Sequence, residues 1–490
     1  MTTDAEVTFR LEGGAGKIVT VEAPAMILTG GVSDAYHPPG APSSAFLTTK
    51  DQFSVDSWCL PLSKPPRPLS VPKAAPTLAG IPIAASAPLT HWAPSTQKVT
   101  IPSGGQKVAG GFVSQKSAIQ AVGGELITWG NSSQGGTRPN EAQNKQFAYA
   151  HMGESAGVAI TIQGELIAWG NSSNGGTLPT NTKEKKFAYA HMGGWAGVAI
   201  TTQGELIAWG NSSYGGTLPT NTNKDRQFAY THMGHSAGVA ITTQGELIAW
   251  GDPNNGGTLP TNTNKDRQFA YAHMGYHAGV AITTQGELIA WGDSSYGGTL
   301  PTNTNNKDRQ FAYTHMGRDA GVAITTQGEL ITWGNSSNGG TRPNEAQNKK
   351  FAYAHMGGNA GAAITTEGEL ITWGNSSKGG TLPTNTNKDR QFAYTHMSGW
   401  AGVAITTQGE LITWGNSDNG GTLPTNTNKD RQFAYTHMSD NAGVAVTTQG
   451  ELIAWGNSVN EGSLLPNNVK EKKYAYAHMG EHAGVALTLP

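Results

Sequence analysis

The sequence predicts an all-β fold: a β-propeller built from nine Trp-Gly repeats of about 41 residues, read as nine blades, preceded by a small β-rich, Pro-rich N-terminal region. Two observations carry this expectation. Trp-Gly recurs at Trp129, Trp169, Trp209, Trp250, Trp291, Trp333, Trp373, Trp414 and Trp455, in steps of 40 to 42 residues. Within each step the chain is cut into pieces of five to seven β-branched or aromatic residues closed by Gly, Asn or Pro, which is the pattern of short strands and turns, not of helices.

One copy shows the elements in order: Phe187-Ala-Tyr-Ala-His-Met-Gly, Gly197-Val-Ala-Ile-Thr, Gly204-Glu-Leu-Ile-Ala-Trp-Gly and Gly215-Gly-Thr-Leu-Pro219. About four short strands per repeat are expected. The Trp is large enough to fill the gap between neighbouring blades and to bury ~200 Å². The Gly after it lets the chain leave the strand or approach a neighbour closely. The Pro of Thr-Leu-Pro cannot donate to an inner ladder, so its strand is expected at an outer edge.

These repeats resemble those of the regulator-of-chromosome-condensation propeller family, and most nearly its short-repeat bacterial branch, which includes the propeller-type β-lactamase-inhibitory protein. The resemblance covers Gln106 to Pro490 and implies a propeller. Familiar members have seven blades, and this chain departs from that count. Nine Trp-Gly, nine His-Met and nine Gly-Val/Ala-Ala units close as nine blades if Gly484 to Leu489 pairs with Gly124 to Trp129. Lys107 to Val122 reads as a degraded tenth copy competing for the same edge, so a ten-bladed ring and an open spiral are alternatives.

Residues 1–105 differ in kind, holding 14 of the 25 prolines and no Trp-Gly unit. Residues 1–59 read as a small β module. Val7 to Glu12 and Lys17 to Glu22 form its expected hairpin, and Ala45 to Thr48 and Gln52 to Val55 are further strand candidates. Residues 60–105 read as a Pro-rich extended linker or docking arm, and the prolines from Leu60 to Pro102 are expected to forbid regular structure. Residues 106–490 are the propeller repeats.

Composition excludes several functions. Thirty-two basic against 34 acidic side chains give a net charge of −2, which does not supply the concentrated positive field that nucleic acid or an anionic membrane attracts. One cysteine, Cys59, allows neither an internal disulfide nor a cysteine-rich zinc site. No apolar run approaches the ~20 residues of a membrane span, so no membrane insertion is expected. The first residues lack the layout of a signal peptide, which predicts a soluble protein that is cytoplasmic or exported by a signal-independent route.

Comparing the nine copies with one another separates a near-constant frame from two variable places. The pair after His-Met-Gly/Ser reads Glu154-Ser155, Gly194-Trp195, His235-Ser236, Tyr276-His277, Arg318-Asp319, Gly358-Asn359, Gly399-Trp400, Asp440-Asn441 and Glu481-His482. The residue before the Gly-Gly turn also varies and includes Tyr214, Tyr296, Lys378 and Asn460. Consecutive antiparallel strands send alternate turns to opposite faces, so both places are expected on one rim, opposite the constant Gln-Gly-Glu and Asn-Lys-Asp-Arg-Gln loops. Large residues at exposed loop tips are binding hot-spot types. The predicted partner rim is Glu154, Trp195, Tyr214, His235, Tyr276, His277, Tyr296, Arg318, Asp319, Lys378, Trp400, Asp440 and His482. The family resemblance implies the same face, since the corresponding turns form the partner surface of the inhibitory relative. Neutral drift on tolerant loops is the competing reading.

Nothing in the chain reads as catalytic, and no metal or cofactor is expected. The nine His-Met histidines, from His151 to His478, bring no converging carboxylate or cysteine ligands and read as packed or hydrogen-bonded strand residues. The nine glutamates of Gly-Glu-Leu, Glu125 to Glu451, lie a blade apart and are expected to pair with Lys and Arg of the fourth turn, not to form an acid/base pair. The Gly-Gly turns precede no helix, which excludes a phosphate loop.

The chain therefore reads as a non-enzymatic binding protein that recognises a protein partner through the variable rim. The alternative is a multivalent glycan-binding propeller, although a lectin of identical sites should keep its ligand residues constant. Guanine-nucleotide exchange, known in the eukaryotic relatives, ranks lower, because repeat steps of 40 to 42 residues leave no room for their inserted wedge.

Overall fold

The computed structural model describes residues 18–21, 97–100, 123–302, 304, 309–457, 465–466, 469 and 471–489. Nine three-stranded antiparallel sheets are present among them, and each is one blade. In the second blade the inner strand Phe187–Met192 pairs with the middle strand Ala196–Thr201, which pairs with the outer strand Leu206–Gly210. The inner strand carries a bulge between Phe187 and Tyr189, and the same bulge recurs at the equivalent position in the other eight blades.

The ninth blade is composite, as the closure arithmetic requires. Its inner and middle strands are Tyr474–Met479 and Ala483–Thr488, and its outer strand is Leu126–Gly130 from the first repeat. Gly484 lies opposite Trp129 in this pairing, which is the register of every other blade. Lys472 and Glu125 add an ion pair to the same clasp. Around the axis the nine His-Met imidazoles form a closed circle, with neighbouring centroids 3.8 to 4.5 Å apart and His478 returning to His151 at 4.1 Å. A circle of nine replaces the ten-bladed and open-spiral alternatives. Lys107 to Val122 lies outside the described residues.

The core lies between blades. Tyr149, Val158, Ile160 and Leu166 of the first blade pack against Phe187, Met192, Ile207 and Trp209 of the second. The tryptophan does more than fill this gap. Trp209 Nε1 donates to Gly175 O of the turn after the first blade at 2.8 Å, and Trp250 Nε1 donates to Gly215 O at 2.9 Å. The indole lies over Gly197 on the paired strand, where a Cβ would meet its Cζ2 at 2.4 Å, so only glycine fits beneath it. The Gly after the Trp adopts φ +108 at Gly210, a conformation costly for other residues.

The expected fourth strand is absent among the described residues. After Gly-Gly the chain runs through short 3-10 and turn segments, and Pro heads these turns instead of an edge strand: Pro219 O accepts from Thr222 N at 3.2 Å and from Thr222 Oγ1 at 2.7 Å. The outer edge is covered by a side chain. Asn223 Oδ1 accepts from Leu206 N and Asn223 Nδ2 donates to Leu206 O, both at 2.8 Å, so one amide replaces the peptide group that a fourth strand would offer. Asn264, Asn387 and Asn428 repeat this device.

On the same face every Gly-Glu-Leu glutamate meets a Lys or Arg of the fourth turn, as expected from the sequence. The Arg226–Glu246 pair is bidentate, with both contacts at 2.8 Å. In the N-terminal region Ile18–Val21 pairs antiparallel with Gln97–Thr100. That second strand lies in the stretch where prolines were expected to forbid regular structure. It occupies a window free of proline between Pro94 and Pro102, where backbone N–H groups remain to form a ladder. Val7 to Glu12, Ala45 to Thr48 and Gln52 to Val55 lie outside the described residues.

Deleting residues 483–490 should open the ring, because it strips a middle strand from between Tyr474–Met479 and Leu126–Gly130 and leaves two sheet edges bare. The truncated chain is expected to self-associate in sedimentation and to melt earlier than the intact one. A monomer with an unchanged melting temperature would refute closure by this clasp.

Candidate binding face

The turn between the inner and middle strands and the turn after the outer strand share one face, and a backbone bond fixes this in every blade. Asn171 N donates to Ser155 O at 2.9 Å, Asn211 N to Trp195 O at 3.0 Å, and Asp293 N to His277 O at 2.9 Å. The turn after the outer strand is itself capped: Asn171 Oδ1 accepts from Ser173 N, and Gly175 closes it with φ 102. Both variable places therefore lie on one rim. The structure divides them into two circles, a separation that sequence reasoning missed.

The first residue of each variable pair turns inward. Glu154, His235, Tyr276, Arg318, Asp440 and Glu481, with Gly194, Gly358 and Gly399, line the mouth of the central channel, a cavity of about 200 Å³ that the His-Met circle also lines. The second residue does not line this mouth, and in several blades it packs on the later turn. Trp195 meets Tyr214 at 5.5 Å between centroids, and His277 meets Tyr296 at 4.7 Å while its Nδ1 bonds Asn255 Oδ1 at 2.8 Å. Asp319 Oδ2 accepts from Asn338 Nδ2 at 2.7 Å, and Lys378 Nζ stands 4.1 Å over the Trp400 ring. His482 leans on Glu481, with Nε2 3.8 Å from Oε2.

The expectation of exposed tips is corrected. None of the thirteen predicted rim residues is exposed: Asp319 is buried and the other twelve are half-buried. The turns are too short to hold a large side chain away from the surface, so it lies against its neighbour. The exposed positions are instead the serines of the later turn, such as Ser172, Ser173, Ser212 and Ser213. Asn460 lies outside the described residues.

The contacts join into a continuous aromatic arc across the second, third and fourth blades. It runs Tyr214, Trp195, His235, Tyr276, His277, Tyr296, with neighbouring centroids 4.3 to 6.2 Å apart. His235 stacks on Tyr276, and its tautomer follows from its partners. Trp195 Nε1 donates to His235 Nε2 at 3.0 Å, so the proton is on Nδ1, which donates to Ser236 Oγ at 2.8 Å. Burial, helped by the positive fields of His277 and Arg318, lowers the His235 pKa to about 4.

Acids gather at the mouth. Tyr276 reaches across the axis from the fourth blade and donates its hydroxyl to Glu154 Oε1 of the first blade at 2.7 Å; Glu481 Oε1 of the ninth lies 3.4 Å from the same oxygen. Burial first, and then the charge of Glu481, push Glu154 up to about 8; burial and then Asp440 push Glu481 up to about 7. Asp440 is raised as well, chiefly by burial, while the amide of Gly399 donates to its Oδ1 at 2.5 Å. Glu154 Oε2 approaches His235 Nε2 at 3.5 Å, but that nitrogen accepts from Trp195 and the imidazole is neutral, so the contact is not an ion pair.

Below the mouth the histidine circle is tied blade to blade. Met192 N donates to His151 Nδ1 and Met233 N to His191 Nδ1, each at 3.3 Å. A nitrogen that accepts from a backbone N–H carries no proton, so these imidazoles serve as neutral packing elements.

No protein-family model matches this chain, and no curated protein does. Among solved structures it is similar to Prp20p from Saccharomyces cerevisiae, at 14% identity, 76% of this chain, 92% of that chain and a TM-score of 0.43. It is also similar to yeast RCC1 (Prp20) solved bound to Kap60, at 13% identity, 75% of this chain, 89% of that chain and a TM-score of 0.43. Human WBSCR16 gives 16% identity, 74% of this chain, 98% of that chain and a TM-score of 0.41.

The lowered His235 pKa has a defined pH consequence. Its folded value lies below the ordinary 6.5, so the stabilising contribution is present above that value and is lost as pH falls through about 4. His235→Gln keeps an acceptor for Trp195 but cannot take a proton. Between pH 7 and pH 4 the wild type should lose up to about 3 kcal/mol more stability than the variant, measured by denaturant unfolding at both pH values. Equal losses would show that His235 is not an acid-sensitive element of this face.

Proposed function

We propose that this chain is a non-enzymatic binding protein that engages a protein partner through its variable face. The observation that carries the reading is the aromatic arc from Tyr214 to Tyr296, which occurs on three adjacent blades of an otherwise repetitive ring. Tyr, Trp and Arg dominate protein-binding hot spots, and rings already stacked on one another lose little side-chain freedom when a partner covers them. The likeness of the repeats to the short-repeat bacterial branch, whose inhibitory member binds through the corresponding turns, supports the same face.

The geometry also ranks the anchors. Trp195, Tyr214, Tyr296 and Trp400 are half-buried and outward. Tyr276 and Arg318 are engaged within the face, the former by Glu154 and the latter by Asn359 Oδ1 at 3.1 Å. A repeating-site lectin would place equal aromatic sites on many blades, and the single arc favours one macromolecular partner over nine sugar sites.

Replacing Trp195 or Tyr296 with Ala should weaken capture of that partner by about thirtyfold, or ~2 kcal/mol. Glu205→Ala and Glu287→Ala on the constant face should change affinity little, since solvent-exposed ion pairs contribute ~0–1 kcal/mol. The measurement is titration calorimetry of both mutant sets against a partner isolated on the intact chain. Loss of binding in the glutamate set with silent aromatic changes would place the binding surface on the opposite face.

A further inference from the structure

We infer that the Tyr276 bridge is a proton-operated latch over the mouth of the central channel: a proton held between Glu154 and Glu481 lets Tyr276 tie the first, fourth and ninth blades together across the axis, and its loss leaves the hydroxyl able to hold only one of the two acids, so the three-blade tie opens. The latch does not require the outer circle to bind a protein.

The geometry supplies the reason. A tyrosine hydroxyl donates one hydrogen bond and accepts another. Tyr276 donates to Glu154 Oε1 at 2.7 Å, and Glu481 Oε1 stands 3.4 Å from the same oxygen. If Glu481 carries a proton, its O–H donates to Tyr276, which donates to Glu154, and a single chain of bonds spans the mouth. If both carboxyls are ionised, only one can receive the hydroxyl proton. The other then turns lone pairs toward Tyr276 and a like charge toward its neighbour, in a desolvated site where that repulsion is strong. The released proton goes to bulk water, and no other group changes its bonding.

The surrounding charges do not cancel this. His235 stacks on Tyr276 at 4.3 Å and is held neutral by accepting from Trp195. Arg318 is drawn toward Asp319 and Asn359, although its field reaches Glu481. Lys378 sits over Trp400, and Asp440 adds a further carboxyl beside the pair. His277 lies beyond Tyr276 and His482 beside Glu481, both half-buried. The raised carboxyl values put the release between neutral and mildly alkaline pH.

Hydrogen exchange followed by mass spectrometry tests the latch on the full chain. The first turns differ in sequence between blades, so their peptides are distinguishable. Protection factors, corrected for intrinsic exchange, should fall at least tenfold between pH 6 and pH 9 at Gly153 and His235, whose amides bond within and between first turns. The constant turns near Glu205 and Glu287 should not change. Glu154→Gln with Glu481→Gln should keep its pH 6 protection at pH 9, and Glu481→Gln alone serves if the double variant does not fold. Tyr276→Phe should show low protection at both pH values. Wild-type first turns whose protection stays within twofold from pH 6 to pH 9 would overturn the latch, as would a foldable Gln variant that loses protection as the wild type does.

Discussion

The ring rests on the contact between one blade's indole and the next blade's turn. A three-stranded sheet has two apolar faces and cannot bury both by itself. Each Trp therefore slides between neighbours, covers a glycine such as Gly197 that offers no Cβ, and donates Nε1 to a backbone carbonyl of the preceding blade. The bond gives direction to an otherwise non-directional hydrophobic contact, so the angle between blades is set and not merely favoured. A nine-fold ring turns each blade about 40° from the last. Most neighbouring imidazoles on the axis are tilted by 35 to 40°, so the inner circle follows the same step.

This repeated contact also explains why the two faces tolerate change so differently. On the constant face, structure depends on side chains. Thr201 Oγ1 holds the Glu205 amide at 3.0 Å, the Asn223 amide covers an open strand edge, and Lys185 and Glu205 pair across the turn. A substitution at any of these leaves a backbone group or a charge unpaired. On the other face the variable residue contributes only its backbone carbonyl to the joining bond, as Trp195 O accepts from Asn211 N, and any residue can supply that. The side chains there are free for other uses. Repeat-to-repeat variation thus follows the division between side-chain and main-chain bonding.

That division also marks what could be read from the sequence. The repeats, the strands, the composite ninth blade, the sharing of a face by the two variable places and the Lys/Arg–Glu pairs each leave a periodic trace. What stayed hidden is non-local or lies within one turn. Gln97–Thr100 finds Ile18–Val21 across a long stretch of chain, and no local pattern announces such a pairing. Thr-Leu-Pro reads as a strand because the pattern cannot show that Asn223 already occupies the edge. Glu154 and Ser155 are neighbours in sequence, yet one lines the channel and the other bonds the rim, a split made by the path of a tight turn and not by residue type. The glycines at 194, 358 and 399 were the available signal, since glycine at an otherwise bulky position marks a place where something else must fit.

That signal bears on whether the mouth arose by independent drift. A Cβ on Gly194 would meet His235 Cδ2 at 2.7 Å and Glu154 Cδ at 3.0 Å; one on Gly399 would meet Asp440 Oδ1 at 2.5 Å; one on Gly358 would meet Gly399 Cα at 2.9 Å and Arg318 Cζ at 3.4 Å. Each glycine is thus the space into which a neighbouring blade's charged or aromatic side chain lies. Where large side chains do stand on adjacent blades they are accommodated by stacking, as His235 on Tyr276 at 4.3 Å. At these three glycine positions residue size is set by what the neighbouring blade places there. The mouth therefore behaves as one packed unit assembled from nine repeats, and a change at one first turn is constrained by its neighbours even though the backbone bond beneath it would accept almost any side chain.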